Sequence, residues 1–459
     1  FELSTKAFRN SLDDILSFTR CLQIINDRYN FYREIHIDHQ IMYRNILDRL
    51  RGDLASTGLT FLYELLQNAV DHPNKNFNNE LSVHFEVFNN YLLLKHNGAL
   101  FTENNFKSIC GILLGEQVIE TETNRIGYKG IGFKSVFRHS NNVYIRSGNF
   151  SFCFNREVVD NKPWEVMPKF QNELEKIDEI PQFDFFNSPV AFAFQFTSDN
   201  HKNKVIEYLT ALSQNPYLLI FLDKLKRLKI TTPIEEQIFE KEIISDKNGY
   251  NTIKLKINEI HHSEWSSFSN TFIIEAQNII SELLDENNRS IPEHFRQFRS
   301  PKINVIIPVQ KIDNPINLFA YLPLSSTKFQ LDYIINADFI PNLDRSNIIN
   351  LSYNFKLAEF AAIQIIKACE SFALNKEFKK IKQLFPTFET GINEFKDKLQ
   401  LSFINNVENS EIFPTCYDGK LYPITQILVD ITGLYKIIPE SLYSQLTNTN
   451  IKPLDLDSE

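Results

Sequence analysis

Two hydrophobic periods organise this chain. Over residues 5–50 the apolar positions of "SLDDILSFTRCLQIINDRY" and "IMYRNILDRL" recur every three to four residues in a polar background, which predicts helices. "GLTFLYELLQNAVDH" (58–72) is apolar over most of its circumference and predicts a helix that buries most of its surface. Period two then takes over. "LSVHFEVFNNYLLLKHNG" (81–98) alternates, turns at Asn89-Asn90 and predicts a hairpin, and "NVYIRSGNFSFCFN" (142–155) repeats that pattern. "SPVAFAFQFT" (188–197) predicts a strand and "NKVIEYLTALSQ" a helix. "YLLIFLDKLKRLKI" (217–230) predicts strand, turn, strand.

"TTPIEEQ" (231–237) marks the expected end of this first mixed segment. Beyond it the pattern predicts strands near 238–258 and 270–275 and a helix near 276–286. Strands at "KINVIIPV" and "LFAYLPL" follow, then a long helix from Leu357 to about Ala373. From Asn375 the helical pattern gives way to "FPTCYDGKLYPITQILVDITG". The expected class is α+β, with units over 1–232, 233–373 and 374–459.

Composition narrows what such a chain does. A chain of 459 residues, with 43% hydrophobic residues and 40 Phe, is too long for one core and fills several. The formal net charge of -9 provides no global basic field for holding nucleic acid. The best local patch is "DKLKRLKI" (223–230), where Lys224, Lys226 and Lys229 alternate with Leu225, Leu228 and Ile230; it reads more simply as a half-exposed strand. Five cysteines lie far apart and read as buried thiols of a cytosolic protein. His261-His262, the one close histidine pair, reads as a surface loop rather than a metal site. No apolar run approaches the ~20 residues that span a bilayer, so a soluble, cytoplasmic protein without a membrane partner is expected.

Three stretches carry chemistry. Glu64, Asn68 and Asp71 are spaced by four and three residues, which puts them on one helix face among Phe61, Leu62, Leu65, Leu66 and Val70. They read either as a solvated stripe or as a magnesium-nucleotide site. A strand then ends at His96-Asn97-Gly98, with a helix beginning near Glu103 and Thr102 as its N-cap; alone this is an ordinary Asn-Gly turn. Finally, "IGYKGIGFKSVF" (126–137) gathers Gly127, Gly130 and Gly132 in a chain of only 13 glycines, with Lys129 and Lys134 beside them. Bare backbone followed by a helix start at Phe133–Val136 suits a phosphate, although glycines also serve turns.

In this order, "YELLQNAVD", "HNGALFTE" and "IGYKGIGFKSVF" followed by "VYIRSGNFSF" resemble the GHKL (Bergerat-fold) ATPase superfamily, and within it the sacsin and NO VEIN type. The resemblance covers residues 50–230 well. It extends more weakly into "LFAYLPLSSTKFQLDYIINADFIPNLDRSNI", which is similar to a middle domain. It implies a two-layer α/β sandwich that binds ATP, an α+β middle domain and a small, mostly helical C-terminal unit. On the matching positions, Glu64 is the implied general base and Asn68 the implied Mg2+ ligand. Asp71, His96, Asn97 and Gly98 line the nucleotide, while Gly127, Lys129, Gly130, Ile131, Gly132, Phe133 and Lys134 form the phosphate loop. Residues 111–126 are the implied lid, and Arg345 in "NLDRSNII" the implied γ-phosphate contact.

One departure stands out. Relatives place an aspartate that accepts the adenine amino group where this chain has His96, and their second glycine is replaced by Leu100. A neutral imidazole is expected to accept the same hydrogen bond. The resulting expectation is a slow, Mg2+-dependent ATPase acting as a conformational switch in a bacterial defence or chaperone-like assembly, with a protein partner or effector domain. A non-hydrolysing nucleotide sensor and a nucleic-acid-associated regulator of a nuclease are the alternatives. Residues 1–50 either make a homodimer or wrap the domain. A histidine kinase is disfavoured, because His36 and His39 lack that context.

Overall fold

The hydrophobic pattern translates into a mixed α+β architecture with a large, mostly antiparallel sheet. The computed structural model describes residues 17–53, 60–74, 80–111, 132–157, 162–171, 188–214, 216–245, 249–275, 277–285, 291, 295, 300–313, 315–342, 345–386, 391, 393–415, 420–428, 436–437, 439–442 and 452–454. The chain divides into two units: Phe1–Glu242 with Leu255–His262, and Ile243–Lys254 with Ser263–Glu459.

Unit 1 opens with helices α1 (Phe18–Glu34), α2 (Ile37–Asp53) and α3 (Thr60–Asp71). Ser17 caps α1 by accepting the Arg20 N–H, and the helix buries Cys21, Ile24, Ile25 and Tyr32. Its sheet is built from β1 (Leu81–Val87), β2 (Tyr91–His96), β3 (Ser140–Ser147), β4 (Phe150–Asn155), β5 (Lys169–Phe170), β6 (Val190–Phe196), β7 (Leu225–Thr231) and the first part of β8 (Glu236–Ser245). The order is β8-β7-β1-β2-β6-β3-β4-β5. β7 runs parallel to β1, and the other neighbours are antiparallel. Period two assigns the faces. Val83, Phe85, Leu94, His96, Phe192, Phe194, Ile145, Phe152 and Phe154 share one face and are buried, whereas Glu86, Lys95 and Lys229 lie on the other.

Between the strands, α4 (Glu103–Ile109) begins with a reciprocal capping box between Thr102 and Asn105, so Thr102 is its N-cap. A 3-10 helix, Gly132–Arg138, leads into β3. α5 (Asp199–Gln214) follows β6. The expected first strand of 217–230 is instead a short helix, α6 (Leu218–Phe221). The buried Lys241 ammonium donates to the carbonyls of Leu219 and Leu222 at 2.8 and 2.9 Å, which satisfies its C-terminal end.

The chain passes between the units within β8, β9 (Asn251–Ile257) and β10 (Ile260–Thr271). His261 and His262 therefore lie on a strand rather than a loop; both are exposed, and as neighbours on a strand they point to opposite faces. In unit 2, after α7 (Gln277–Leu284), come β11 (Lys302–Pro308), β12 (Leu318–Ala320), β13 (Leu322–Pro323) and β14 (Ile334–Ala337). They continue from β10 in the order β10-β11-β14-β12-β13. Against β11 packs α8 (Ser352–Leu374), which is apolar on nearly all sides and correspondingly buried; α9 (Phe378–Lys382) and α10 (Glu394–Val407) pack on α8 in turn. Among the described residues no helix is long and apolar enough to cross a membrane.

Candidate functional site

The helix α3 grades the three polar residues by depth. Phe61, Leu62, Leu65, Leu66, Ala69 and Val70 are buried, Glu64 is half-buried, Asn68 is exposed and Asp71 is buried. The polar stripe thus differs in depth from residue to residue, with its middle member exposed and its last buried, unlike the face of an ordinary amphipathic surface helix. α3 packs against β1 and against the 3-10 helix Gly132–Arg138, and Phe61 stacks on His139 at 4.7 Å.

The Asn-Gly turn is tied to the end of the same helix. His72, one residue past α3, accepts the Ala99 N–H at 2.8 Å. Gly98 lies between that carbonyl and His96: a Cβ there would stand 2.7 Å from His96 Nδ1 and 2.8 Å from the His72 oxygen. Because one of those neighbours is backbone, Gly98→Val has no flexible group to displace. It is expected to cost about 1–3 kcal/mol in a urea titration; an unchanged midpoint would contradict this placement. Asn97 is committed elsewhere. Its Oδ1 accepts the Ser82 N–H at 2.7 Å and its Nδ2 donates to the Glu80 carbonyl at 3.0 Å, which fixes the start of β1 rather than offering a contact to a ligand.

His96 departs from expectation in polarity. Its Nδ1 accepts the Gly98 N–H at 3.1 Å, so the ring's acceptor is already used. Burial, with His72 nearby, holds its pKa down at about 3. Phe192 stacks on it at 6.0 Å. The imidazole is therefore not the acceptor for an amino group that the sequence suggested.

The 3-10 helix begins at Gly132, the last glycine of the run. Phe133 lies against Phe137 and Phe192 at 5.7 and 6.0 Å. Lys134, expected to touch a phosphate, is buried instead. Its ammonium donates to the carbonyls of Ile109 at 2.5 Å and Glu165 at 2.8 Å, over the rings of Phe137 and Phe154. Burial lowers its pKa to about 8. This lysine joins the end of α4 to the 3-10 helix. Arg28 and Tyr32 on α1, which sequence reasoning passed over, hold the next carbonyl, Cys110 O, at 3.3 and 3.4 Å. Their four-residue spacing was the available signal, and Arg28 also donates to the Tyr32 hydroxyl at 3.0 Å. Gly127, Lys129, Gly130 and Ile131, and residues 112–126 of the expected lid, lie outside the described residues.

Arg345 belongs to unit 2. It is buried, its φ of 53° is left-handed, and its N–H donates to the Asn342 carbonyl at 3.2 Å. Asn342 also bonds Ser346 and Asn347. A non-glycine residue in this region is uncommon and marks a constrained position.

No family model matches the chain. It is 22% identical over 432 residues to Protein NO VEIN of Arabidopsis thaliana, a match covering 90% of this chain and 14% of that protein. The chain is thus similar, over most of its own length and a small part of the other's, to Protein NO VEIN, and is distantly related to it.

Proposed function

We propose that unit 1 is a Bergerat-type domain that binds an Mg2+-nucleoside triphosphate, ATP in the first instance, and hydrolyses it slowly as a conformational switch. The observation that carries this reading is convergence. Three stretches separated by tens of residues meet, since α3 packs on the 3-10 helix that closes the glycine run, and the Asn97-Gly98 turn is tied to the end of α3 through His72.

The residues fit such a ligand. Asn68 presents an amide oxygen at the exposed part of α3, where a hard cation accepts oxygen ligands. Gly98 brings backbone close, in a space that a Cβ would fill. Mg2+ held by Asn68 would supply positive charge that offsets the charge of the phosphates. The Glu64 carboxylate takes a proton from the attacking water as the oxygen bonds to the γ-phosphorus and the bond to ADP breaks, giving ADP and phosphate. Asp71, buried two turns from Glu64, orders the base end. Lys134 has no phosphate role in this scheme, because its ammonium is held by two carbonyls. The work of the switch falls to a protein partner or effector domain.

The test is metal dependence. Titration of ATP is expected to show tighter binding with Mg2+ than with EDTA, and Asn68→Ala is expected to remove most of that difference. Equal Mg2+ dependence in both proteins would sink the assignment of Asn68.

A further inference from the structure

The last carbonyls of a helix have no partner within the helix, and cationic donors suit them. At the end of α4 two adjacent carbonyls are held by different parts of unit 1. Lys134, in the 3-10 helix, donates to Ile109 O at 2.5 Å. Arg28 Nη2 and the Tyr32 hydroxyl, both on α1, donate to Cys110 O at 3.3 and 3.4 Å. Tyr32 also fixes the guanidinium, which donates to its hydroxyl at 3.0 Å and lies 4.8 Å from its ring centroid.

The two N-terminal helices are joined at the same place. Gln40, buried on α2, donates through Nε2 to the carbonyls of Tyr32, Arg33 and Ile35 at 3.3, 3.2 and 3.1 Å. α2 in turn packs against the 3-10 helix. The helical pair thus meets the 3-10 helix by two routes, directly through α2 and through the α4 end that Arg28 and Lys134 share. α1 does not need the clamp for its seat in the domain. It already buries Cys21, Ile24 and Ile25 and packs on β4 and β5. Hydrogen bonds add modest net stability but strong direction, so the clamp sets position more than adhesion.

We propose that Arg28 is a positioning residue of the nucleotide site: with Tyr32 it holds the α4 end against which Lys134 sets the 3-10 helix, so that the placement of α1 governs how tightly a triphosphate is bound. The inference rests on the nucleotide reading given above and concerns the regulation of that site. Coupling between two places is mutual, so bound nucleotide must also tighten α1 on the domain.

Calorimetric titration of the full chain with ATP and Mg2+, paired with amide hydrogen exchange in the presence and absence of ATP, tests this. Arg28→Met keeps the length of the side chain and removes its donors. It is expected to weaken ATP binding about tenfold, the effect of losing one hydrogen bond from a charged donor. Arg28→Lys, which keeps a donor, is expected to stay within about threefold of wild type. In the wild type, ATP is expected to slow exchange of the α1 amides around Arg28 by at least about fivefold, and in Arg28→Met to leave them unchanged. A side chain that served stability alone would not make α1 respond to nucleotide. Should Arg28→Met not fold, Tyr32→Phe, which removes only the hydroxyl, is read instead, with ATP bound about threefold more weakly and the protection of α1 reduced. Equal ATP affinity in wild type and variant would overturn the inference and leave the nucleotide reading standing. Weaker binding by the variant without protection of α1 in the wild type would also overturn it, since the coupling must run both ways. Absence of binding by the wild type to any triphosphate would overturn the nucleotide reading and this inference with it.

Discussion

Glu64→Gln stops nucleotide hydrolysis, lowering turnover by about 10²–10⁴-fold, and leaves nucleotide affinity nearly unchanged. The amide has the size and hydrogen-bonding reach of the carboxylate but cannot take a proton from water. Glu64 is half-buried on α3, one turn from the exposed Asn68 and two turns from the buried Asp71. A loss confined to kcat, with Kd for ATP and the unfolding midpoint held, is the signature of an interaction made only in the transition state. If Glu64→Gln instead weakened binding and lowered stability together, Glu64 would be a structural carboxylate and the mechanism would lose its base.

Mild acid is expected to unfold the protein, and two buried histidines account for much of the effect. Burial holds the pKa of both His84 and His96 at about 3 in the fold, against 6.5 for an ordinary histidine. The cations Lys95, Lys229 and Arg227 also disfavour charging of His84, whose Nε2 is 2.9 Å from Thr231 Oγ1. Below pH 6.5 the unfolded chain binds protons that the folded chain does not, so stability is full above that pH and is lost as pH falls toward 3. At pH 5 each group costs about 2 kcal/mol relative to pH 7, or about 4 kcal/mol together. Urea titrations at the two pH values measure this directly, and His84→Gln is expected to remove about half of the difference. Equal stability at pH 7 and pH 5 would show that neither ring is buried neutral.

Much of unit 1 was legible in the sequence because its signals are local. The alternation at 81–98 and 142–155 became the β1–β2 and β3–β4 hairpins, and Thr102 caps α4 with a box formed by residues three apart. What sequence misread was decided at long range. An apolar run such as Tyr217–Leu222 suits strand or helix equally. The helix is fixed by Lys241, whose ammonium reaches back about twenty residues to its carbonyls. Lys134 next to a glycine run looks like a phosphate ligand until the carbonyls of Ile109 and Glu165 are found around it. The choice of histidine at position 96 was visible, but its tautomer follows from the close approach of Gly98, which only the folded turn provides. The convergence of α3, the Asn97-Gly98 turn and the 3-10 helix was expected from the order of three motifs rather than from any one of them. Each alone is compatible with a stripe or a turn.

The central claim is that these three stretches of unit 1 form one nucleotide site. Its most direct test is calorimetric titration of the wild-type chain with ATP and Mg2+, with release of phosphate followed in the same preparation. Saturable, Mg2+-dependent binding with slow release of phosphate is the expected result. A flat titration with ATP, GTP and ADP alike would contradict it, and the glycines of 127–132 would return to being turn residues.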